Sequence, residues 1–421
     1  MHESTPARGP GALGYAYGVL MLAFGCVTDP APEEYTGREE IPGDLDPDSA
    51  IEDSAEDSAV EPADCGQVPE DSAAYAALFN PAIVHSVSLS VTTEDRARLL
   101  AAPDEWAPAA LVVDGVELAS IGVKWRGDST QMRWEAKPSW SVGLRRGSAC
   151  DTLAGIERFS LDAMIDDPAQ ARLVLESALL EGLDRVVPRA VFATLAVDGE
   201  DFGLYALIEV VDAPFVVNHL GAWPGVVWQG GSGADFTTTG LAAWDDVDGL
   251  GDLGRLEAVA MIVQGSGDAF YEDLGSVLDT ADFAAHWGAL AAVGDAGSFP
   301  FETDDVNVLV PDAGLIRLVP DAPESGWNAA FHWKYVDAAL GVRCVYDASC
   351  VAAVGTAVGA AATAVEALDG EASAQAAFDL SESAVASDPR RETRANEVTA
   401  ARAALAASVK AWPGLLQAQA P

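Results

Sequence analysis

"VDGEDFGLYALIEVVDAPF", residues 197–215, changes character twice along its length. Asp198-Gly199 is a hairpin-turn dipeptide, and the apolar run from Phe202 to Ile208 behind it reads as a buried strand. Two carboxylates then follow, Glu209 and Asp212. A carboxylate at the end of a buried strand is costly unless something pairs with it. Either the fold supplies the partner or a ligand does. Asp212 also precedes Pro214, which is the pattern of a capped helix start with proline in the first turn.

Outward from this hairpin, the flanking sequence alternates strands with short helices. "VHSVSLSV" (84–91) has strand periodicity, and "TTEDRARLLAA" (92–102) reads as a capped helix. "AALVVDGVELASIGVKWRG" (109–127) gives two strands about another Asp-Gly turn, and "SWSVGLR" (139–145) gives a further strand. "DPAQARLVLESALLEGL" (167–183) is an amphipathic helix entered through Pro168. Beyond Gly221 the pattern shifts towards helices: "TADFAAHWGALAAVG" (280–294), the Ala-rich stretch 351–378, and 390–411. Strands first and helices second predict an α+β, two-lobed chain.

The chain has 421 residues, half of them hydrophobic, which is ample for a large core. Its formal net charge of −43 excludes nucleic acid as a partner, because phosphates require Lys and Arg. Residues 1–26 read as a targeting segment, with Arg8, an apolar stretch from Ala12 to Phe24, and "LAFGC" at its end. This resembles a bacterial lipoprotein signal that would leave Cys26 as the lipid-bearing residue; an ordinary secretory signal is the alternative. The expected location is therefore exported and membrane-anchored, or secreted. Residues 27–80 form an acidic segment expected to be a disordered tether, since "EDSAEDSA" and its surroundings cannot bury enough apolar area to order. Cys65, Cys150, Cys344 and Cys350 suit two disulfides in an exported chain. "CVYDASC" makes Cys344–Cys350 the local pair, leaving Cys65–Cys150.

The order of several short motifs resembles the spore-coat protein H (CotH) kinase-like family, over roughly Ile83 to Pro413. The motifs are "GVKWRGDST" with "KPSWSVGL", "DDPAQARLVLESALL", "VDGEDFGLYALIEVVDAPFVVNHLG", "LDTADFAAHWGALAAVGD", and more loosely "SDPRRETRANEV" and "WPGLL". The resemblance implies a protein-kinase-like two-lobed fold, with a sheet-rich N-lobe over residues 81–220 and a helical C-lobe over 221–421. It also implies use of ATP with a divalent metal such as Mg²⁺, and a protein substrate.

Phosphoryl transfer needs cations on the phosphates, carboxylates on the metal, and an orienting group near the attacking hydroxyl. By resemblance, Lys137 is the phosphate-binding lysine, and its alternative is an ordinary surface lysine. Arg126 and Arg172 position phosphate or hold the lobes by ion pairs. Glu209 falls in the interlobe linker at the rim of a nucleotide site; its alternative is an exposed strand end. Asp295 matches the catalytic-loop aspartate, against a polar loop residue as the alternative.

The sequence departs from the family pattern beyond that point. Where the family has a metal-binding Asn, "DDVNVLV" puts Val306, with Asn307 beside it. The family's Pro-Trp-Asp-x-Asp motif corresponds to "VPDAPESGW", which offers Asp321 or Glu324 but not both in one alignment. Metal ligands tolerate little displacement, because the rate comes from positioning and electrostatics. Two readings therefore stand: an exported ATP-dependent protein kinase homologue with weakened transfer, or a pseudokinase-like surface lipoprotein that binds a partner without catalysis.

Overall fold

The computed structural model describes residues 72–127, 134–146, 152–221, 225–247, 249, 251–303, 306–321, 325–328 and 330–419. The chain divides into Met1–Asp57, outside those residues, and Ser58–Pro421, to which everything below refers.

Helix α1 (Ser72–Leu78) leads into strand β1 (His85–Ser90), helix α2 (Thr93–Ala101), and strands β2 (Ala107–Val113) and β3 (Val116–Arg126). Strands β4 (Ser139–Gly143) and β5 (Arg158–Asp162), helix α3 (Arg172–Gly182), and strands β6 (Ala190–Val197) and β7 (Glu200–Glu209) follow. Both predicted Asp-Gly turns form, with φ of 50° and 85° at Asp114-Gly115 and 52° and 79° at Asp198-Gly199. Positive φ at both central residues matches the twist of the flanking strands, which is why this dipeptide is favoured there.

The seven strands close into a barrel in the order β1-β2-β3-β4-β5-β7-β6. Closure comes from a parallel pairing of β1 with β6, from His85 opposite Ala193 to Leu89 opposite Val197. It satisfies both edges of β1, so no strand edge of this sheet is left to solvent. The barrel interior is filled by rings such as Trp125, Trp140, Phe159 and Phe202. Each such buried side chain contributes roughly 1.5–3 kcal/mol.

Strand β7 shows why the apolar run at 202–208 does not alternate. Tyr205 and Leu207 belong to the barrel core, whereas Leu204, Ala206 and Ile208 belong to a second core beside it. A strand buried on both faces reads as a continuous apolar stretch.

The remainder contains α4 (Ala213–Leu220), β8 (Gly225–Gly230), β9 (Trp244–Asp246), α5 (Gly254–Gln264), α6 (Phe270–Leu274) and α7 (Thr280–Val293). Strands β10 (Val306–Pro311) and β11 (Arg317–Pro320) precede four helices, α8 (Ala339–Tyr346), α9 (Ala348–Ala367), α10 (Gly370–Ser387) and α11 (Ala395–Gln419). The expectation of a helical second half needs correction. Strands β11-β10-β8-β9 form a four-stranded sheet within it. "GVVWQG" and "VNVLVP" are short apolar runs, whose periodicity alone does not separate strand from buried helix.

The expected extension of the tether to residue 80 also needs correction. Helix α1 lies inside that range, and Tyr75, Leu78 and Phe79 are buried with the barrel residues. The α+β class stands as expected. Cys344 and Cys350 are joined by a disulfide at the junction of α8 and α9. Cys26, Cys65 and Cys150 lie outside the described residues.

Candidate functional site

The end of β3, the start of β4, the end of β5, the entry to α3 and Ser325 surround a cleft of about 290 Å³. Arg126, Ser139, Asp162, Asp166, Asp167 and Ser325 line it. Arg126 is half-buried and has no ion-pair partner among the described residues, so it is the cation this cleft offers an anionic ligand. Asp162 is held in place by N–H donation from Met164 at 2.7 Å and by the Ser139 hydroxyl at 3.3 Å.

The amides leading into α3 are taken up by an aspartate. Asp167 accepts from Ala169 N at 3.0 Å, Ala171 N at 2.6 Å and Arg172 N at 2.8 Å. A helix start binds phosphate through such N–H groups. Here an aspartate from the Asp-Pro motif already holds the Ala171 and Arg172 amides, which leaves Arg126 as the charged group that would meet a phosphate in the cleft.

Lys137 lies just before β4 and is buried, with its Nζ 2.7 Å from Asp388 Oδ2. Burial lowers its pKa, while the Asp388 carboxylate opposes that shift. Its chain position is fixed by Tyr205, whose hydroxyl donates to Pro138 O at 3.1 Å. Tyr205 itself is buried, which pushes its phenol well above the usual value. Asp388 also accepts from Leu204 N at 3.0 Å and Arg390 N at 2.8 Å. The carboxylate rests on the backbone of β7 where Gly203 has φ +90°, and a Cβ there would sit 2.0 Å from Asp388 Oδ1. Neither of the readings of Lys137, phosphate ligand or surface lysine, describes this arrangement. Its ammonium joins the barrel to the loop between α10 and α11.

Glu209, the last residue of β7, answers the question posed by its sequence position: the partners are built in. Its Oε1 accepts from the Tyr75 hydroxyl, and its Oε2 contacts His219 Nε2 at 3.0 Å and Arg189 N at 3.1 Å. It is buried, which raises its pKa against the opposing pull of His219. Both oxygens are engaged and the residue is buried, so Glu209 is not an exposed strand end, and it is not among the described residues that line the cleft at Arg126. Asp212 caps α4 as expected, accepting from Phe215 N at 3.1 Å.

Asp295 follows α7 and is fully buried. Its Oδ1 accepts from Gly297 N at 2.9 Å and Ser298 N at 3.3 Å, and its Oδ2 accepts from the Ser298 hydroxyl at 2.7 Å. Burial raises its pKa, partly offset by these donors and by the charge of Arg172. The loop at 325–328 packs over this turn. Gly326 donates to Glu176 Oε1 at 2.8 Å and accepts from the Arg172 guanidinium. Arg172 thus ties the start of α3 to the 325–328 loop through a backbone carbonyl, a hydrogen bond and not the ion pair expected of it.

Of the expected metal ligands, Asn307 on β10 and Asp321 just after β11 do meet. Asn307 Nδ2 lies 3.3 Å from Asp321 Oδ1, and Gln229 Nε2 from β8 lies 3.1 Å from Asp321 Oδ2. Glu324 lies outside the described residues. Among the described residues no three His, Cys, Asp or Glu side chains gather as a metal site. One carboxylate with neighbouring amides suits a hard cation only if other oxygens, such as nucleotide phosphates, complete its shell.

Sequence reasoning missed Asp162, Asp388 and Gln229. Asp388 stands inside the quoted "SDPRRETRANEV", but Lys137 is 251 residues away, a pairing no local pattern announces.

A family model described as CotH kinase protein matches residues 123–289, from within β3 to within α7. The resemblance read from the sequence is shown over those residues, fewer than half of the chain. Arg126, Lys137 and Glu209 fall inside the match, whereas Asp295, Asn307, Asp321 and Glu324 lie beyond its end. No curated protein matches the chain.

Proposed function

We propose that this CotH-like, kinase-related protein is an exported lipoprotein that acts by binding a protein or surface partner, with phosphoryl transfer weakened or lost. The observation that carries this reading is the state of Asp295. Both of its oxygens are committed to its own turn and the residue is fully buried. A group that orients a substrate hydroxyl must come within hydrogen-bond reach of that hydroxyl. The kinase-like two-lobed arrangement, with residues 81–220 and 221–421 as its halves, belongs to the same proposal.

Transfer by an active kinase is the second reading, favoured by the approach of Asn307 to Asp321. On that reading Arg126 holds the phosphates of ATP, and Asp321 with Asn307 holds Mg²⁺, which neutralises phosphate charge. Purified chain, radiolabelled ATP with Mg²⁺ and a generic protein acceptor separate the two. We expect transfer by the wild type at background level, unchanged in the nearly isosteric Asp295→Asn. Transfer by the wild type that collapses in Asp295→Asn, by about 10²-fold or more as for loss of a major electrostatic contributor, would establish the kinase reading instead.

The anchor is part of the proposal and rests on "LAFGC" at 22–26 followed by the acidic segment. In membrane fractionation the wild type should sediment with membranes and Cys26→Ser should be released. Equal release of both removes the anchor.

A further inference from the structure

A second concavity, of about 480 Å³, lies away from the cleft at Arg126 and shares no lining residue with it. Three segments build it: the loop after α7, the loop between β11 and α8, and α8 itself. Its volume falls in the usual range for small-molecule sites.

The floor is rigid. Phe301 and Phe331 meet edge to face with centroids 4.8 Å apart, and Phe331 packs against Trp412 at 5.7 Å. Asp337 N donates to Phe301 O at 2.9 Å, joining two of the walls. Trp333 Nε1 donates to Gln419 O at 3.1 Å, which ties the loop to the end of α11. The third wall, α8, is held by the Cys344–Cys350 disulfide.

The rim is aromatic and open. Tyr335 is 71% exposed and Tyr346 is 85% exposed, unusual for rings of this size at a formed cavity. His332 and Tyr335 stack with centroids 4.9 Å apart and planes 29° from parallel, forming one platform. His332 Nδ1 accepts from Lys334 N at 3.1 Å, which fixes the ring. Partial burial and the Lys334 charge lower its pKa, so the platform is neutral at pH 7. Beside it stand the exposed carboxylates of Glu302 and Asp337, neither of which has an ion-pair partner among the described residues.

We propose that this groove binds a neutral carbohydrate chain, stacking a sugar ring on Tyr335 or Tyr346 and accepting its hydroxyl groups at Glu302 and Asp337. A pyranose presents a C–H face and a polar edge. The face suits the electron-rich surface of an aromatic ring, and adjacent hydroxyls suit a carboxylate with two acceptor oxygens. A cationic side chain fits less well. Lys334 lines the same groove, and a nearly parallel pair of rings makes a platform rather than a cage around a charge. Anionic glycans are opposed by the two carboxylates and by the net charge of −43.

Calorimetry with the full chain and a panel of neutral hexasaccharides tests this, the panel being β-1,4-, β-1,3- and α-1,4-glucan and β-1,4-linked N-acetylglucosamine. Tetralysine serves as the cationic comparison. At least one sugar should bind with an affinity indifferent to salt. Tyr346→Ala or Tyr335→Ala should weaken it about tenfold, in line with the loss of one ring contact, and the Phe variant should restore it. Glu302→Gln with Asp337→Asn should weaken it further. No binding by any sugar, binding unchanged in both Tyr→Ala variants, or salt-sensitive binding of tetralysine alone would overturn the proposal.

Discussion

Removing both members of the Lys137–Asp388 pair should cost clearly less than the two single losses added together. The two side chains are about 1% and 0% exposed, and their charges are 2.7 Å apart. Lys137→Met leaves the Asp388 carboxylate buried with only two backbone N–H donors, Leu204 and Arg390. Asp388→Asn takes away the ammonium's ion-pair partner and replaces one acceptor oxygen with a donor. Breaking a buried pair from one side costs about 3–5 kcal/mol, whereas replacing both charges with neutral groups is often close to neutral. We therefore expect each single variant to lose about 3–5 kcal/mol. The double variant Lys137→Met/Asp388→Asn should lose less than the sum by at least about 2 kcal/mol, within the range measured for contacting residues. Urea unfolding at pH 7, followed by tryptophan fluorescence and far-UV circular dichroism together, gives the four stabilities of the cycle. Additivity within about 0.5 kcal/mol, the behaviour of independent sites, would refute the argument that the pair is a mutually dependent tie. So would a Lys137→Met variant within about 1 kcal/mol of the wild type, since a lysine whose loss costs so little is not holding the barrel to the α10–α11 loop.

Two further outcomes follow from the same geometry. Gly203→Ala combines φ +90° with a Cβ 2.0 Å from Asp388 Oδ1, so it should cost more than Gly199→Ala, where φ is +79° and the space is open; equal unfolding midpoints would contradict the steric account. His286 is buried with Nε2 3.0 Å from Phe299 O, and burial with the nearby Arg185 charge pushes its pKa down from 6.5 to about 4. A depressed folded-state pKa means the unfolded chain binds the proton first on acidification, so stability is lost as pH falls from 6.5 towards 4. That amounts to about 2 kcal/mol between pH 7 and pH 5. His286→Gln should flatten this part of the pH profile, and an unchanged slope would rule out His286 as its source.

The local sequence carried the features whose causes are local. Asp-Gly at 114–115 and 198–199 dictated type I′ turns because few other residue pairs tolerate positive φ twice. Asp212 ahead of Pro214 specified a cap, and a separation of 6 along the chain kept Cys344 and Cys350 within reach. The α+β class followed from the change of period along the chain. Likewise, the motif order pointed to the CotH family, and residues 123–289 bear that out.

The roles of the charged residues were decided by tertiary structure. Glu209 is met by Tyr75 across 134 residues, and Lys137 by Asp388 across 251, distances along the chain that leave no periodic signal. Barrel closure has the same character, since β1 and β6 pair across more than a hundred residues. The sheet formed by β8 to β11 was also invisible, because short apolar strands and buried helical segments share one pattern. A sequence states which groups must be paired when buried. Which group does the pairing is set by how the chain returns on itself: here Lys137 meets Asp388, Glu209 meets Tyr75, and Asp295 turns onto Ser298, while Arg126 lines the cleft.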